Sequence, residues 1–500
     1  EQDEAAVGRP IEYINPTISS DTTKTTSNKE YDLSLKSNVN GTVTIKDEEG
    51  TIIYENLLLD ANIRLLNELT LKQGENRFKV EFTPSEDQPS LESYQKLSSY
   101  DTMTLNVNIS CQAFGTSENA LYVSANGSSS NEGTQVSPLD IYTAIAYAQP
   151  GQEIILLEGT YYLDHAITID RGHNGTAEQR ITLMAEPGKR VVIDLSNSSK
   201  GGFTLNADYW HFYGFEICNS QDNAKPILIQ GNHNIIEQLK IYNNGTTGLQ
   251  ISGSSSESIE MWPSYNLIQS VESYNNMDSN ANDADGFAAK ITAGVGNVFR
   301  YCIAHHNIDD GWDLYAKSTS GSIGQVKVEY SIAYENGYLS TDPNQTVVGE
   351  GNGFKLGGES MPGNHILSHS ISFNNYAKGV TSNSGPDVQI YNTLSFNNGG
   401  ENLSLYTSYK ETNYKLDRFI SYNGGKEDNI DLKGQATLAS ETNYLNGTNS
   451  LREEISADWF NDFTLGKENQ TDLYPTINDN GGIDFNGLES VLTHAEDFLE

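Results

Sequence analysis
The sequence predicts an all-β protein in which an N-terminal β-sandwich precedes a right-handed parallel β-helix, a fold whose short strands stack in successive coils. Three observations support this fold class. The first 112 residues alternate apolar and polar side chains between turn residues, an amphipathic helical segment follows, and a unit of a short strand and an Asn-rich turn then recurs. We expect a sandwich over 1–112, a β-helix with a helical N-terminal cap over 113–440, and a C-terminal cap of the β-helix over 441–500.

The predicted sandwich consists of short strands separated by turns. Alternation with a period of two, which is typical of strands, occurs at residues 31–36, 76–82 and 103–109. Asn40-Gly41 is a strong signal for a tight β-hairpin, and Gly50 marks a second turn. These elements predict a small antiparallel sandwich of the immunoglobulin type.

A single helix is expected between the sandwich and the repeat. Ser137 can cap its N-terminus, Pro138 suits its first turn, and Pro150-Gly151 ends it. Its apolar residues lie on one stripe: Leu139, Ile141, Tyr142, Ile145 and Ala146. The first coil of a β-helix would otherwise expose its core and its strand edge, so we expect this helix to cover that end.

The repeat extends from about residue 230 to about residue 425. Its units end in an Asn residue, and the intervals between these residues vary from 23 to 39. The final Asn residues are Asn244, Asn276, Asn307, Asn336, Asn375, Asn398 and Asn423. Variable intervals indicate a solenoid whose coils carry loops of different length, and the Asn side chains should stack and hydrogen-bond the turns above and below. The chain beyond about residue 440 is expected to cover the other end around Trp459 and Phe460.

Three coils share a further strand in which an Asp or Asn is followed by a Gly and an aromatic residue. The aromatic residues, Phe287, Trp312 and Phe354, should point into the core and stack. Because parallel strands lie about 4.8 Å apart, residues at equal positions of these strands should form columns. One column would contain Asp285, Asp310 and Asn352, and a second column beside it would contain Ala288, Asp313 and Lys355.

Four Asp residues of these coils are candidates for a metal site: Asp285, Asp309, Asp310 and Asp313. Four neighbouring carboxylates would repel one another strongly without a cation. Oxygen ligands favour calcium or magnesium, and a roomy, irregular group of carboxylates favours calcium. The sequence therefore predicts a calcium site, with Asp283 as a candidate for an outer contact; a purely structural ion is the alternative.

Lys355 is the candidate base of this site. Cleavage of a 4-linked uronate by β-elimination requires removal of the proton at C5, and a cation on the substrate carboxylate stabilises the enolate-like intermediate. A lysine close to a dication has a lowered pKa because its charged form is disfavoured. Lys290 is the alternative base or a ligand of the substrate carboxylate, and we expect Arg300 and Lys317 to contact substrate charge.

The order of these residues resembles polysaccharide lyase family 9. The matching residues are Asp285, the run Asp309-Asp310-Gly311-Trp312-Asp313 and the run Gly351-Asn352-Gly353-Phe354-Lys355-Leu356-Gly357-Gly358, within a resemblance over roughly residues 118–440. The resemblance implies that the four Asp residues bind calcium and that Lys355 is the Brønsted base. The family includes pectate lyases and rhamnogalacturonan I lyases, so it implies an acidic pectic substrate and 4,5-unsaturated products, with both backbones open.

The composition limits the partners of the chain. There are 67 Asp and Glu residues against 30 Lys and Arg residues, and the net charge of −37 disfavours nucleic acid and anionic lipid. No apolar run reaches the roughly 18 residues of a membrane span. The three Cys residues, Cys111, Cys218 and Cys302, lie far apart, which argues against a disulfide framework or a zinc site. Since the chain starts at Glu1, we expect a removed leader and a monomer that is secreted, periplasmic or at the cell surface.

Two other functions are compatible with the sequence. A glycoside hydrolase on a similar β-helix would use two of the Asp residues as acid and base, release saturated products and need no calcium. A non-catalytic glycan-binding solenoid would bind the polysaccharide without cleaving it, and loss of Lys355 would have no special effect.

Overall fold
The computed structural model describes residues 10–21, 25–27, 29–112, 114, 119–431, 437–438, 441–456 and 476–484. Within these ranges the chain forms 42 strands, one α-helix and a 3₁₀ turn at Ile259–Met261. In these same ranges, no helix has the length and apolar character needed to cross a membrane. The expected C-terminal cover around Trp459 and Phe460 lies outside the described residues.

The N-terminal part forms two main sheets around one core, and β1 and β9 form a separate parallel pair. Its strands are β1 Glu12–Ile14, β2 Ile18–Ser20, β3 Thr25–Thr26, β4 Glu30–Ser37, β5 Gly41–Lys46, β6 Ile52–Leu59, β7 Leu65–Thr70, β8 Gly74–Pro84, β9 Gln95–Leu97 and β10 Met103–Cys111. One sheet has the order β3-β10-β8-β5-β6 and the other β2-β4-β7. Tyr31, Val80 and Phe82 belong to the buried cluster of this part. The predicted sandwich is confirmed.

The hairpin predicted at Asn40-Gly41 is wrong. Strand β4 before it pairs with β2 and β7, whereas β5 after it pairs with β6 and β8, so these two residues carry the chain from one sheet to the other. A Cβ atom at Gly41 would overlap the Phe82 ring, and close packing rather than a tight turn therefore requires glycine there. The second predicted turn is present, since Gly50, with φ of 85°, lies between the antiparallel strands β5 and β6.

The expected helix is α1, Ile141–Tyr147, but its N-cap is Asp140 and not Ser137. Asp140 Oδ1 accepts a hydrogen bond from the backbone N–H of Thr143 at 2.8 Å. Leu139, the residue before Asp140, forms a β-bridge with Val123 and is therefore not yet helical. Ile141 and Ile145 of the helix pack in the same buried cluster as the first coils, as the predicted cap of this end requires.

The β-helix has three strands in a typical coil. The first two strands of each coil stack into a 20-stranded sheet. Its strands are β11 Ala120–Val123, β12 Glu153–Leu156, β13 Gly159–Tyr162, β15 Ile181–Ala185, β16 Val191–Asp194, β18 Trp210–Tyr213, β19 Glu216–Cys218, β21 Ile235–Glu237, β22 Lys240–Tyr242, β24 Leu267–Gln269, β25 Glu272–Tyr274, β27 Asn297–Arg300, β28 Ile303–His305, β30 Val326–Glu329, β31 Ile332–Tyr334, β33 Ile366–Ser368, β34 Ile371–Phe373, β36 Gln389–Phe396, β38 Lys415–Tyr422 and β40 Thr437–Leu438.

The third strands stack into a 10-stranded parallel sheet. Its strands are β14 Ile167–Ile169, β17 Phe203–Leu205, β20 Ile227–Ile229, β23 Leu249–Ile251, β26 Phe287–Ala289, β29 Trp312–Asp313, β32 Phe354–Lys355, β35 Val380–Thr381, β37 Leu403–Leu405 and β39 Asn429–Ile430. A final antiparallel pair consists of β41 Thr476–Ile477 and β42 Ile483–Asp484. Complete coils begin at β12, before the expected start near residue 230. The Asn pattern does not mark these earlier coils, because Ser220 occupies the position that Asn occupies in the later coils.

The predicted Asn ladder runs through six of its seven expected members. From Asn244 to Asn398, each side-chain Nδ2 donates to the Oδ1 of the next Asn at 2.8 to 3.0 Å. Asn423 is wrong as the last member, because Tyr422 pairs with Phe396 and Asn423 therefore matches Asn397 rather than Asn398. Asn402 accepts the bond from Asn398 Nδ2 instead, at 2.9 Å.

A second buried stack lies at the start of the first strands and contains His365. Asn266 Nδ2 donates to Asn297 Oδ1 at 3.0 Å, and two coils later His365 Nδ1 accepts from the backbone N–H of Val326 at 3.1 Å. The His365 side chain is 2% exposed. Burial lowers the pKa of His365 to about 4, so the neutral ring occupies a position that Asn occupies in earlier coils.

Replacing His365 by Asn is expected to make the β-helix less sensitive to acid. The folded-state pKa of about 4 lies below the ordinary value of 6.5, so the stabilisation by the neutral ring is complete above pH 6.5 and is lost as the pH falls toward 4. Asn does not titrate, and the variant should gain up to about 1.4 kcal/mol relative to the wild type for each pH unit in this window. Urea unfolding between pH 7 and 4.5 measures this gain.

The matched control is His165→Asn, since the His165 side chain is 65% exposed. Its urea midpoint should follow that of the wild type at every pH. If the His365→Asn midpoint also follows the wild type, His365 is not the group that couples folding to pH.

Candidate active site
The third strands β26, β29 and β32 align the residues of the candidate site. Phe287 pairs with Trp312, and Trp312 pairs with Phe354. The stacked rings have centroid distances of 4.9 and 4.8 Å and are fully buried. This packing sets the register of the three coils, and Asp313 and Lys355 are paired neighbours in the column that the sequence predicts.

Three of the four candidate metal ligands lie together at this end of the strands. Asp285, Asp309 and Asp310 are buried, and their carboxylate oxygens lie within 4.8 Å of one another. Asp310 Oδ1 accepts hydrogen bonds from the backbone and side-chain nitrogens of Asn352 at 2.9 and 2.8 Å. Asp285 Oδ2 accepts one from the Thr247 hydroxyl at 3.1 Å. We call these three residues the acidic cluster.

The fourth candidate, Asp313, lies beside the acidic cluster and shares its two lysines. Lys290 Nζ lies 3.1 Å from Asp285 Oδ2, 3.2 Å from Asp313 Oδ2 and 2.9 Å from Asp283 Oδ1. Lys355 Nζ lies 3.1 Å from Asp310 Oδ2 and 3.9 Å from Asp313 Oδ1. The structure therefore brings both lysines and all four predicted Asp residues into one continuous group of charges.

The protonation of the acidic cluster reflects its burial. Burial, with repulsion from Asp310 and Asp285, raises the pKa of Asp309 to about 10. Burial also raises the pKa values of Asp285 and Asp310, although the nearby lysines oppose the rise. An isolated buried carboxylate is costly, so in this environment Asp309 is a neutral carboxylic acid near pH 7 unless a cation offsets its charge.

The two lysines respond in the opposite direction. Burial by itself lowers the pKa of Lys355, but the carboxylates of Asp310 and Asp313 outweigh burial and raise the pKa above its ordinary value. The pKa of Lys290 is also raised, because Asp285 and Asp313 outweigh the burial of its amine. Both amines are thus cationic as long as the carboxylates beside them keep their negative charge.

The site has polar atoms that its own side chains leave unsatisfied. Asp309 Oδ1 and Asp313 Oδ1 are buried without a hydrogen-bond partner. Asp310 Oδ2 also accepts no hydrogen bond, because its 3.1 Å contact with Lys355 Nζ does not have hydrogen-bonding geometry. Buried oxygens without donors are the atoms that a hard cation would coordinate.

Several residues at the site do not appear among the sequence predictions. Thr247 and Lys225 occupy the position of Asp285 in the two preceding coils, and extending the column backward from Asp285 would have identified both. Glu350 Oε2 lies 3.4 Å from Lys355 Nζ, and Tyr315 places its ring 5.9 Å from the same atom. Glu350 belongs to a loop without strand periodicity, which gives no signal in the sequence.

Among the described residues, two of the predicted substrate contacts form no ion pair with the acidic cluster. Arg300 ends β27 in the 20-stranded sheet, and its Nη2 lies 2.6 Å from Glu329 Oε1. Lys317 is exposed in the loop after β29, where it forms a β-bridge with Gly321. Contacts of Arg300, Lys317 and Lys290 with a substrate stay predictions.

Comparisons with known proteins agree with this architecture. A family model described as the Pel9A-like, right-handed beta helix region matches residues 121–418, and a model of the central Ig-like domain of pectate disaccharide-lyase matches residues 18–102. The predicted fold, a right-handed β-helix after an immunoglobulin-like sandwich, is thereby confirmed.

Individual relatives cover different parts of the chain. Pectate lyase L of Thermoclostridium stercorarium is 44% identical over 453 residues, which are 89% of this chain and 35% of that protein. Pectate lyase L of Paenibacillus polymyxa (strain SC2) is 42% identical over 57% of this chain and 64% of its own length. The crystal structure of pectate lyase Pel9A has a TM-score of 0.59 at 28% identity, over 73% of this chain and 87% of that one. The chain thus spans between about a third and two thirds of the length of these two curated relatives.

Proposed function
Because the chain belongs to the Pel9A-like family of right-handed β-helix proteins, we propose that it is a polysaccharide lyase that cleaves a galacturonate-containing pectic backbone by β-elimination. The observation that carries the proposal is the contact of a largely buried lysine amine with a buried acidic cluster, since the Lys355 side chain is 11% exposed and its Nζ lies 3.1 Å from Asp310 Oδ2. A base beside a site for a hard cation is what proton removal next to a carboxylate requires.

The acidic cluster fits a calcium ion. Its donors are oxygen atoms alone, they lie within 4.8 Å of one another, and Asp309 and Asp313 each have a buried oxygen without a hydrogen-bond partner. Asp285, Asp309, Asp310 and Asp313 are the proposed ligands. When bound, calcium would withdraw charge from the substrate carboxylate and so acidify the proton at C5.

Lys355 can accept that proton only as a neutral amine. The carboxylates of Asp310 and Asp313 keep the pKa of Lys355 high, whereas burial lowers it. When the charge of these carboxylates is offset, burial is no longer opposed and the amine gives up its proton more readily. Lys355 would therefore act as a base only when a cation offsets the charge of the neighbouring carboxylates.

The contacts of Lys290 support a positioning role rather than a role as the base. Its amine donates hydrogen bonds to Asp283, Asp285 and Asp313 at 2.9, 3.1 and 3.2 Å. Lys355 donates one hydrogen bond, to Glu350 at 3.4 Å, and is therefore freer to meet a substrate. Lys290 holds Asp285 and Asp313, which lie in two adjacent columns, at a fixed separation.

The proposed partner is an acidic pectic polysaccharide outside the cell. In a chain of net charge −37, the Lys290 ammonium group and a cation bound by the acidic cluster would reduce repulsion of a polyuronate at this site. Pectin lies outside the cytoplasm, so we propose that the protein acts as a secreted, periplasmic or cell-surface monomer.

Product analysis on polygalacturonate and on rhamnogalacturonan I tests the proposed function. The wild type should release products with unsaturated ends, detected by their ultraviolet absorbance, and a chelator should abolish this release until excess calcium restores it. Saturated products that form equally in chelator would indicate a hydrolase instead. Retention by the polysaccharide without any cleavage would indicate a binding protein.

A further inference from the structure
The column that contains Asp285, Asp310 and Asn352 continues into the next coil with Lys378. Val380 pairs with Phe354, so Lys378 matches Asn352. The backbone N–H of Gly353 donates to the Lys378 carbonyl at 2.8 Å, and the backbone N–H of Lys378 donates to Asn352 Oδ1 at 3.3 Å. Lys378 therefore lies one coil, or about 4.8 Å, beyond the coil that carries Lys355.

Glu401 occupies the position after Lys378 in this column, but these two side chains do not form an ion pair. Lys290 and Lys355 each lie within 4.0 Å of three carboxylates, whereas no ion pair joins Lys378 to a carboxylate among residues 10–456 that the structure describes. Its amine lies 5.4 Å from the centre of the Tyr406 ring, and its side chain is half-buried. A partly desolvated ammonium group that lacks an acidic partner favours an anionic ligand.

Lys378 also borders an open groove on the coils that follow the one with Lys355. The groove has a volume of about 720 Å³ and is lined by residues that include Tyr376, Lys378, Glu401 and Lys426. Its charged lining residues are two lysines and one glutamate, so the groove is locally cationic although the chain has a net charge of −37. Tyr376 is 43% exposed, and an exposed aromatic ring can pack against a sugar.

We propose that Lys378 binds the carboxylate of the uronate residue next to the one that is cleaved. This inference rests on the proposed lyase function and specifies its substrate. An extended pyranose chain that follows the column advances by about one sugar for each coil, so a sugar beside Lys355 has its neighbour beside Lys378. A polygalacturonate presents a carboxylate there, whereas an alternating backbone presents a neutral rhamnose and leaves the amine without a partner. The site therefore selects uronates on adjacent residues.

Kinetics of Lys378→Gln on polygalacturonate test this inference. Loss of a charge-assisted hydrogen bond of about 1.5–3 kcal/mol corresponds to an increase in KM of about 10-fold to 100-fold, with kcat changed much less. Lys378→Arg keeps the charge and should retain most of the affinity. Lys327→Gln is the matched control, because Lys327 is exposed on β30 of the 20-stranded sheet. Affinity electrophoresis in gels that contain polygalacturonate gives a second readout that needs no turnover.

Defined trigalacturonates identify the sugar residue whose carboxylate Lys378 binds. A single methyl ester on the residue adjacent to the cleaved one should weaken binding by the wild type and leave Lys378→Gln unchanged. Equal KM values for Lys378→Gln and Lys327→Gln on a substrate that the wild type cleaves would overturn this inference and leave the lyase function intact. If the wild type cleaves neither pectic backbone, the proposed function is wrong and the inference falls with it.

Discussion
Replacing Lys355 by Met is expected to reduce kcat on a pectic substrate by about 10³-fold, within the range that a positioned general base contributes. Met fills a similar volume and cannot accept a proton, so the C5 proton would have to leave to water. Stopped-flow or steady-state absorbance of the unsaturated products measures the loss. KM should change much less, because the acidic cluster and the groove beside Lys378 are retained.

Measuring calcium affinity distinguishes loss of the base in Lys355→Met from damage to the metal site. The Lys355 ammonium compensates Asp310 and Asp313, with Nζ–O distances of 3.1 and 3.9 Å, and so competes with a cation for these carboxylates. Lys355→Met should therefore bind calcium at least as tightly as the wild type in titration calorimetry. Lys327→Met, on the distant sheet, should leave both kcat and calcium affinity unchanged. If Lys355→Met keeps more than a tenth of wild-type kcat, Lys355 is not the base and Lys290 is the next candidate.

Replacing Asp309 by Asn is expected to remove calcium binding while leaving the calcium-free protein intact. Burial and the neighbouring Asp residues raise the pKa of Asp309 to about 10, so near pH 7 the carboxyl group is neutral without a cation, and Asn closely matches it in shape. Calcium, in contrast, requires the carboxylate. Losing an outer contact of a metal site typically weakens affinity about 10-fold to 100-fold, and loss of a direct ligand should exceed about 100-fold.

Thermal unfolding with and without chelator checks this expectation. In chelator, the Tm of Asp309→Asn should equal that of the wild type or exceed it. Added calcium should raise the Tm of the wild type and not that of the variant, because ligands stabilise only the state that binds them. Asp101→Asn is the control, since Asp101 is exposed in the N-terminal part just before β10 and belongs to no contact of the site. A calcium-induced rise in Tm of the same size in Asp309→Asn and wild type would show that Asp309 is not a ligand.

The parts of the fold that the sequence predicted correctly are those set by a repeated local pattern. The Asn ladder and the columns of Asp313 and Lys355 follow from the spacing of equivalent residues, because identical coils stack with identical register. The acidic cluster follows from the Gly that precedes Phe287, Trp312 and Phe354. Lys378 was missed because its Gly precedes Val380, which lacks the aromatic signature.

The incorrect or missing predictions concern residues whose structure depends on contacts that are distant in the sequence. Asn40-Gly41 suits a hairpin, but the pairing of the flanking strands with different sheets is a non-local choice. Ser137 and Asp140 are both good N-caps, and the β-bridge of Leu139 to Val123 delays the helix until the second of them. Glu350 reaches Lys355 from a loop whose path depends on contacts that no local pattern encodes.

The loop between β31 and β32 has a consequence for how such proteins diverge. The chain leaves the coil after Asn336 and returns at Asn352, yet the Asn336–Asn375 bond and the Trp312–Phe354 pairing close the stack as in coils with shorter excursions. Insertions and deletions before Glu350 in this segment can therefore reshape the wall of the groove, where Tyr338 and Gln345 lie, without changing the register of Asp313 and Lys355. Among related proteins, the range of polysaccharides that the groove accepts can therefore change while the reaction at Lys355 stays the same.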